Sequence, residues 1–171
     1  MSVYLEAPSR GRKQEFLEAV RRSRALHRGL VSPPKTGEQY HAYLTRMSEP
    51  SNVGHFVCVE SGALAGVINV TEIVRGSFRS AYLGYYAFHP HDGAGNMAAG
   101  LRLVIGRAFG RYRLHRLEAN IQPQNLRSIA LVKRVGFRLE GLSPRYLKIL
   151  GRWRAHERWA ITVEDWKPRT L

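Results

Sequence analysis

Between Ser80 and Ile121 the chain runs through an apolar strand, a glycine loop, a helical stretch and a second strand. Ser80 to Phe88 is a tyrosine-rich strand, and His89-Pro90-His91-Asp92-Gly93 stops it. From Ala94 to Phe109, Met97, Leu101, Val104, Ile105 and Ala108 recur at helical spacing. His115 to Ile121 then reads as a strand again. Two strands joined through a helix form a crossover unit and lie parallel. A ligand site is expected at their carboxyl ends. No other feature constrains the fold as strongly: it requires an α/β architecture.

The loop of this unit carries a chemical hint. Gly93 and Gly95 let the backbone approach a ligand without a side chain in the way. The first turn of the following helix offers free N–H groups and the positive end of its dipole. Together they can cradle a phosphate or pyrophosphate. A plain strand-to-helix turn explains the same residues without a ligand, so the loop alone decides nothing.

The rest of the chain supplies the other layers. Lys13 to Arg28 reads as one helix with Phe16, Val20, Ser23 and His27 on one face. Pro33-Pro34 breaks it from a second helix that starts near the N-cap Thr36, with Tyr40, Tyr43, Leu44 and Met47 inward. His55–Glu60, Leu64–Ile73 and Ser80–Phe88 read as an antiparallel meander. Leu126–Val135 reads as a helix closed by Gly136, followed by a short strand at Phe137–Glu140 and a final strand over Glu157–Val163. Trp153, Trp159 and Trp166 read as packing at the end of the sheet. The expected fold is a mixed, mostly antiparallel sheet with one parallel pair and helices on both faces. The 171 residues suit one domain, 1–171.

Charge narrows the setting. The net charge of +14 creates a field that attracts polyanions: nucleic acid, a ribosomal surface or a phosphate-rich cofactor. The cations are mostly arginine, spread along the chain, with Arg21-Arg22-Ser23-Arg24 the densest early cluster. There is no zinc-ligand spacing and no aromatic RNA-binding signature. No apolar run approaches the ~20 residues that span a bilayer. The single cysteine, Cys58, lies in an apolar run and reads as a buried core thiol. These features suggest a cytoplasmic protein with no membrane partner and no metal.

A second segment, HRLEANIQPQNLRSIALVKRVGF, joins a strand, Pro123, an Asn-x-x-Ser helix start and a closing Gly136-Phe137. With the glycine loop it resembles the GCN5-related N-acetyltransferase (GNAT) superfamily. The closer resemblance is to the RimJ/RimL type, which acetylates N-termini of ribosomal proteins. The likeness runs collinearly from about Phe56 to Trp166. It rests on Val74-Arg75-Gly76-Ser77-Phe78, Tyr82-Leu83-Gly84-Tyr85, Gly93-x-Gly95, His115-Arg116, Ala119-Asn120 and Asn125-x-Arg127-Ser128. It continues through Gly136-Phe137, Glu140-Gly141, Gly151-x-Trp153-Arg154, His156 and Asp165-Trp166.

The resemblance implies acetyl-CoA as co-substrate and direct attack of an amine on its thioester. It implies a bulged central strand whose main-chain groups near Tyr85, Tyr86, Ala87 and Phe88 hold the pantetheine and thioester. The pyrophosphate would lie on the N–H groups of Gly93, Ala94, Gly95, Asn96 and Met97. Asn125 and Ser128 match residues near the pantetheine and sulfur, and Ser128 is the candidate general acid, with helix capping as its structural alternative. The position where many relatives place a tyrosine acid is Val132 here. Glu72, Glu118 and Glu140 are the carboxylates available as a base, and each also reads as a structural or surface residue. An α-amine needs little help: near neutral pH roughly 20% of it is neutral, against ~0.1% of a lysine.

Three departures from the family's pattern stand out. Asp92 occupies a position that is usually basic or an amide, and Pro90 replaces a frequent Arg or Gln. Both predict weaker acetyl-CoA binding, with Arg127, Lys133 and Arg134 as compensating charges. Ala155 stands where RimJ-like chains tend to carry Asp. The expected acceptor is a protein N-terminus of the ribosomal-protein type, with ribosomal RNA as an expected partner of the basic surface. A small amine, or a non-catalytic basic binding module, remains open, as does a homodimer.

Overall fold

The computed structural model describes residues 2–167. Seven strands form one sheet in the order β1-β2-β3-β4-β5-β7-β6. They are β1 (Val3–Glu6), β2 (Val53–Val59), β3 (Leu64–Val74), β4 (Ser80–Ala87), β5 (Arg116–Ile121), β6 (Arg138–Ile149) and β7 (Arg152–Thr162). Every neighbouring pair is antiparallel except β4 and β5. The helices are α1 (Lys13–Arg22), α2 (Arg24–His27), α3 (Gly37–Met47), α4 (Asn96–Gly110) and α5 (Leu126–Val135).

Strand alternation divides the core into two layers. Phe56, Cys58 and Val67 pack under α1 and α3 with Phe16, Tyr40 and Tyr43. Val57, Ile68 and Val70 point the other way, to Leu101, Val104 and Ile105 of α4 and Val132 of α5. Helices thus cover both faces, as expected from the sequence. Cys58 is a fully buried thiol, and burial pushes its pKa up.

Several local expectations change. The helix expected over Lys13–Arg28 breaks at Ser23, whose hydroxyl donates to the Ala19 carbonyl at 2.7 Å. Such local hydrogen bonding competes with the regular helix. The sequence gives no warning of β1, which is only four residues long. The short strand expected at Phe137–Glu140 extends to Ile149, and the last strand starts at Arg152, so β6 and β7 form a long hairpin. Gly141 and Pro144 disguise β6 as a loop. As an edge strand it tolerates proline, and an irregularity between Ser143 and Leu147 absorbs it, with Arg145 at φ 49°. Trp159 is buried beneath the Lys133 ammonium, but Trp153 is 61% exposed and does not pack.

Candidate active site

The parallel ladder is short. Ser80, Ala81 and Tyr82 pair with Arg116, Leu117 and Glu118, and beyond that register β4 and β5 separate. The β5-facing edge of β4 is therefore open from Leu83 to Ala87. Two cavities lie at this split. One, of about 450 Å³, runs along β4 to the start of α4. The other, of about 600 Å³, lies toward the β6–β7 hairpin. Leu30, Val31, Tyr85, Asn125 and Ser128 line both.

The junction is built by the start of α5. Asn125 caps that helix, its side chain accepting from the Ser128 N–H at 3.2 Å. The cap orients the first turn, and Ser128 Oγ lies 2.6 Å from the Tyr85 hydroxyl. Burial raises the Tyr85 pKa above the usual phenol range, which keeps the group protonated. Ser128 is legible in the sequence, whereas the Tyr85 hydroxyl is not singled out there. Alternation along β4 is the signal that would have found it. Ala81, Leu83 and Tyr85 share the α5 side, and Tyr86 turns into the opposite aromatic cluster.

The loop before α4 forms the end of the first cavity. Gly93 and Gly95 adopt φ of 76° and 83°, and a Cβ at either would meet no atom within 4 Å. The glycines thus satisfy a left-handed backbone and leave their open side to a ligand. The first N–H groups of α4 have no intrahelical acceptor. Met97 lines the cavity from a seat against Gly66, where any Cβ would come within 2.6 Å of the Tyr86 carbonyl. Asn96 is buried and its amide donates to the His91 carbonyl at 3.1 Å, so its side chain holds the loop. Neither Ala94 nor the Asn96 side chain is among the lining groups. Asp92 does line the cavity, but its carboxylate lies 3.2 Å from His89 Nδ1 and 3.6 Å from an Arg127 nitrogen. Arg127 and Arg134 add positive charge to the same wall.

The end of β4 differs from expectation in two ways. Its register with β3 is continuous from Ala87–Gly66 to Tyr82–Thr71, so the expected bulge near Tyr85–Phe88 does not exist. The irregularity lies on β3, between Thr71 and Val74. Phe88 is also not among the residues lining either cavity. Its N–H donates to Ala65, its carbonyl accepts from His91, and its ring is fully buried against Phe16, Tyr86 and His27. Tyr86 and Ala87 do line the cavity. His27 Nε2 lies 2.8 Å from the Ala87 carbonyl, a contact the sequence does not reveal. Burial lowers the His27 pKa, which favours a neutral ring with its proton on Nε2.

The second cavity contains Glu72, Tyr82, Asn120, Gln122, Tyr146 and His156. Glu72 sits at the β3 irregularity with φ 52°, its N–H donating to the Asn52 side chain. The irregularity re-aims it toward the cavity. It is the one carboxylate among the lining residues. Glu118 is not among them; its carboxylate accepts from Arg116 Nε at 2.8 Å. Glu140 is held by Arg116 and Arg138, with its pKa lowered first by the Arg116 hydrogen bond. Both carboxylates are thus held by arginines and lie outside the lining of the cavity. Among the described residues no cluster of three or more His, Cys, Asp or Glu side chains could hold a metal ion. No described helix is long and apolar enough to cross a membrane.

Residues 3–138 match the acetyltransferase (GNAT) domain model. The chain belongs to the GNAT acetyltransferase family. A [ribosomal protein uS5]-alanine N-acetyltransferase of Escherichia coli (strain K12) is 41% identical over 105 residues, 61% of this chain and 54% of that one. The chain spans about half the length of the curated relatives it matches. Among solved structures, Mycobacterium smegmatis RimJ in complex with CoA-disulfide superposes with a TM-score of 0.87 at 25% identity, covering 95% of this chain and 82% of that one. A spermidine N-acetyltransferase from Vibrio cholerae, in complex with CoA and spermine, superposes at 0.81 with 19% identity and coverages of 95% and 96%. At that identity the likeness concerns the GNAT fold alone.

Proposed function

We propose that this GNAT chain is an acetyl-CoA-dependent N-acetyltransferase whose acceptor is the N-terminal α-amine of a protein. The observation that carries it is the meeting of two cavities at the Tyr85–Ser128 pair. One cavity suits the cofactor. The open edge of β4 offers hydrogen bonds to an extended amide chain, and Gly93, Gly95 and the first turn of α4 suit a pyrophosphate. Arg127 and Arg134 suit the remaining phosphate charge.

Acetyl-CoA supplies a thioester for the amine to attack and a thiolate to depart. Tyr85, kept protonated by burial, donates to Ser128, and the Ser128 hydroxyl proton is then free to reach the departing sulfur. Glu72 orients the incoming ammonium and receives its surplus proton through water. An α-amine needs only this weak assistance because its pKa of about 7.7–8.0 leaves much of it neutral. A polyamine needs several anionic contacts, and Glu72 is one carboxylate. The uS5-alanine N-acetyltransferase relative and the +14 charge also support a ribosomal protein as acceptor, in the cytoplasm.

The test is a turnover panel with acetyl-CoA: alanine-first peptides, the same peptides blocked at the N-terminus with an internal lysine, spermidine and an aminoglycoside. The free N-terminal peptides are expected to have the highest kcat/KM. Faster turnover of spermidine or of lysine side chains would overturn the assignment. CoA binding with no turnover of any amine would leave the binding-module alternative.

A further inference from the structure

The wall of the acceptor cavity continues onto a cationic strip. On β7, Arg152, Arg154 and His156 alternate, so they stand on one face of the sheet. His156 lines the cavity. Across the hairpin, Arg154 pairs with Leu147 and Arg152 with Ile149, and both of these partners also line it. Directly opposed residues share a face. Arg154 and Arg152 therefore extend the cavity wall outward, about 7 and about 13 Å along the strand from His156 respectively.

Both arginines are exposed. No acidic residue occurs between Glu140 and Glu157, a stretch that also holds Arg145 and Lys148. The flanking acids are engaged: Glu140 with Arg116 and Arg138, Glu157 with the Trp159 indole. Among the described residues neither Arg152 nor Arg154 has an ion-pair partner. The cleft thus presents one carboxylate on the β3 wall and two unpaired guanidinium groups further out on the β7 wall.

We infer that Arg152 and Arg154 select acceptors carrying acidic side chains within the first half-dozen residues after the reacting amine. The inference rests on the α-amine assignment above and narrows it. An extended peptide advances about 3.3 Å per residue, so two to four residues separate the cavity from the two cations. A carboxylate there meets guanidinium groups that no described group neutralises, whereas a lysine or a polyamine amine meets like charge. RNA is the other polyanion that such a strip attracts. The peptide is favoured because the arginines share their face with the cavity lining.

The experiment uses three alanine-first peptides, identical except for acidic, neutral or basic residues at positions three to five. Their kcat/KM is measured at saturating acetyl-CoA on the wild type and on the Arg152→Glu/Arg154→Glu double variant. The wild type should prefer acidic over basic peptide by a factor of about 2–30, the range for two exposed ion pairs. The preference should shrink at high salt and invert in the double variant. Because the ratio is read within each enzyme, a general loss of activity cancels. Equal use of the three peptides, or an acidic preference retained by the double variant, overturns the inference alone. An unchanged peptide ratio together with lost retention of RNA on a filter assigns the arginines to RNA and overturns it too. Turnover of spermidine with no turnover of any peptide overturns the α-amine assignment, and the inference with it.

Discussion

The Tyr85 hydroxyl and Ser128 Oγ stand 2.6 Å apart, one on the open end of β4 and one in the first turn of α5. The pair joins the two halves of the splayed sheet where the two cavities meet. Neither residue makes this junction alone: the two hydroxyls share one hydrogen bond, in which either can donate.

Ser128→Ala should lower kcat by about 10²–10⁴, the range for a lost general acid. Tyr85→Phe should cost less, and the double variant should be no worse than Ser128→Ala, because residues acting as one unit are not additive. Acetyl transfer measured across the four proteins checks this. A wild-type rate for Ser128→Ala removes the serine from the chemistry.

Asp92 lines the cavity that suits the cofactor. Its charge is met by Arg127 at 3.6 Å and by His89 at 3.2 Å, which also ties up Arg127. Asp92→Asn should release Arg127 toward the phosphates and tighten CoA binding by about 2–5-fold, the scale of one exposed ion pair. Arg127→Ala should weaken it. Calorimetric titration with CoA decides, and unchanged or weaker binding by Asp92→Asn contradicts this account.

His27 holds the Ala87 carbonyl at the end of β4. His27→Ala removes this hydrogen bond from a half-buried carbonyl, at a cost of about 0.5–1.5 kcal/mol. His27→Gln, which keeps a donor, should recover much of the loss. Urea denaturation gives the stability, and CoA titration shows whether the strand end keeps its shape.

His55 is buried, hydrogen-bonded to Ile68 and Tyr112, and its pKa is lowered to about 4, chiefly by burial. Unfolding returns it to about 6.5. The unfolded chain therefore binds the extra proton first, and stability present above pH 6.5 is lost as pH falls toward 4. The loss from this group is about 3 kcal/mol. His27 acts in the same direction. Denaturation midpoints from pH 7 to pH 4 measure the slope, and His55→Phe should flatten it. An equal slope in that variant would assign the acid sensitivity to other groups.

Much of this architecture is written locally. The glycines at 93 and 95, the Asn125 cap and the helical period of α4 and α5 depend on neighbours within a few residues, and each lies where the sequence places it. The crossover unit follows from them, and with it the parallel pair and the position of Ser128. Chain order alone could not show that the β4–β5 ladder stops after Tyr82, or that Tyr85 reaches Ser128 across 43 positions. Nor could it show that Arg116 pairs with both Glu118 and Glu140, or that an edge strand continues through Gly141 and Pro144. These features depend on which side chains the folded sheet brings together. Backbone conformation is set by residues close in the chain, whereas hydrogen-bond partners, ion pairs and cavities are set by distances that exist only once the strands are paired.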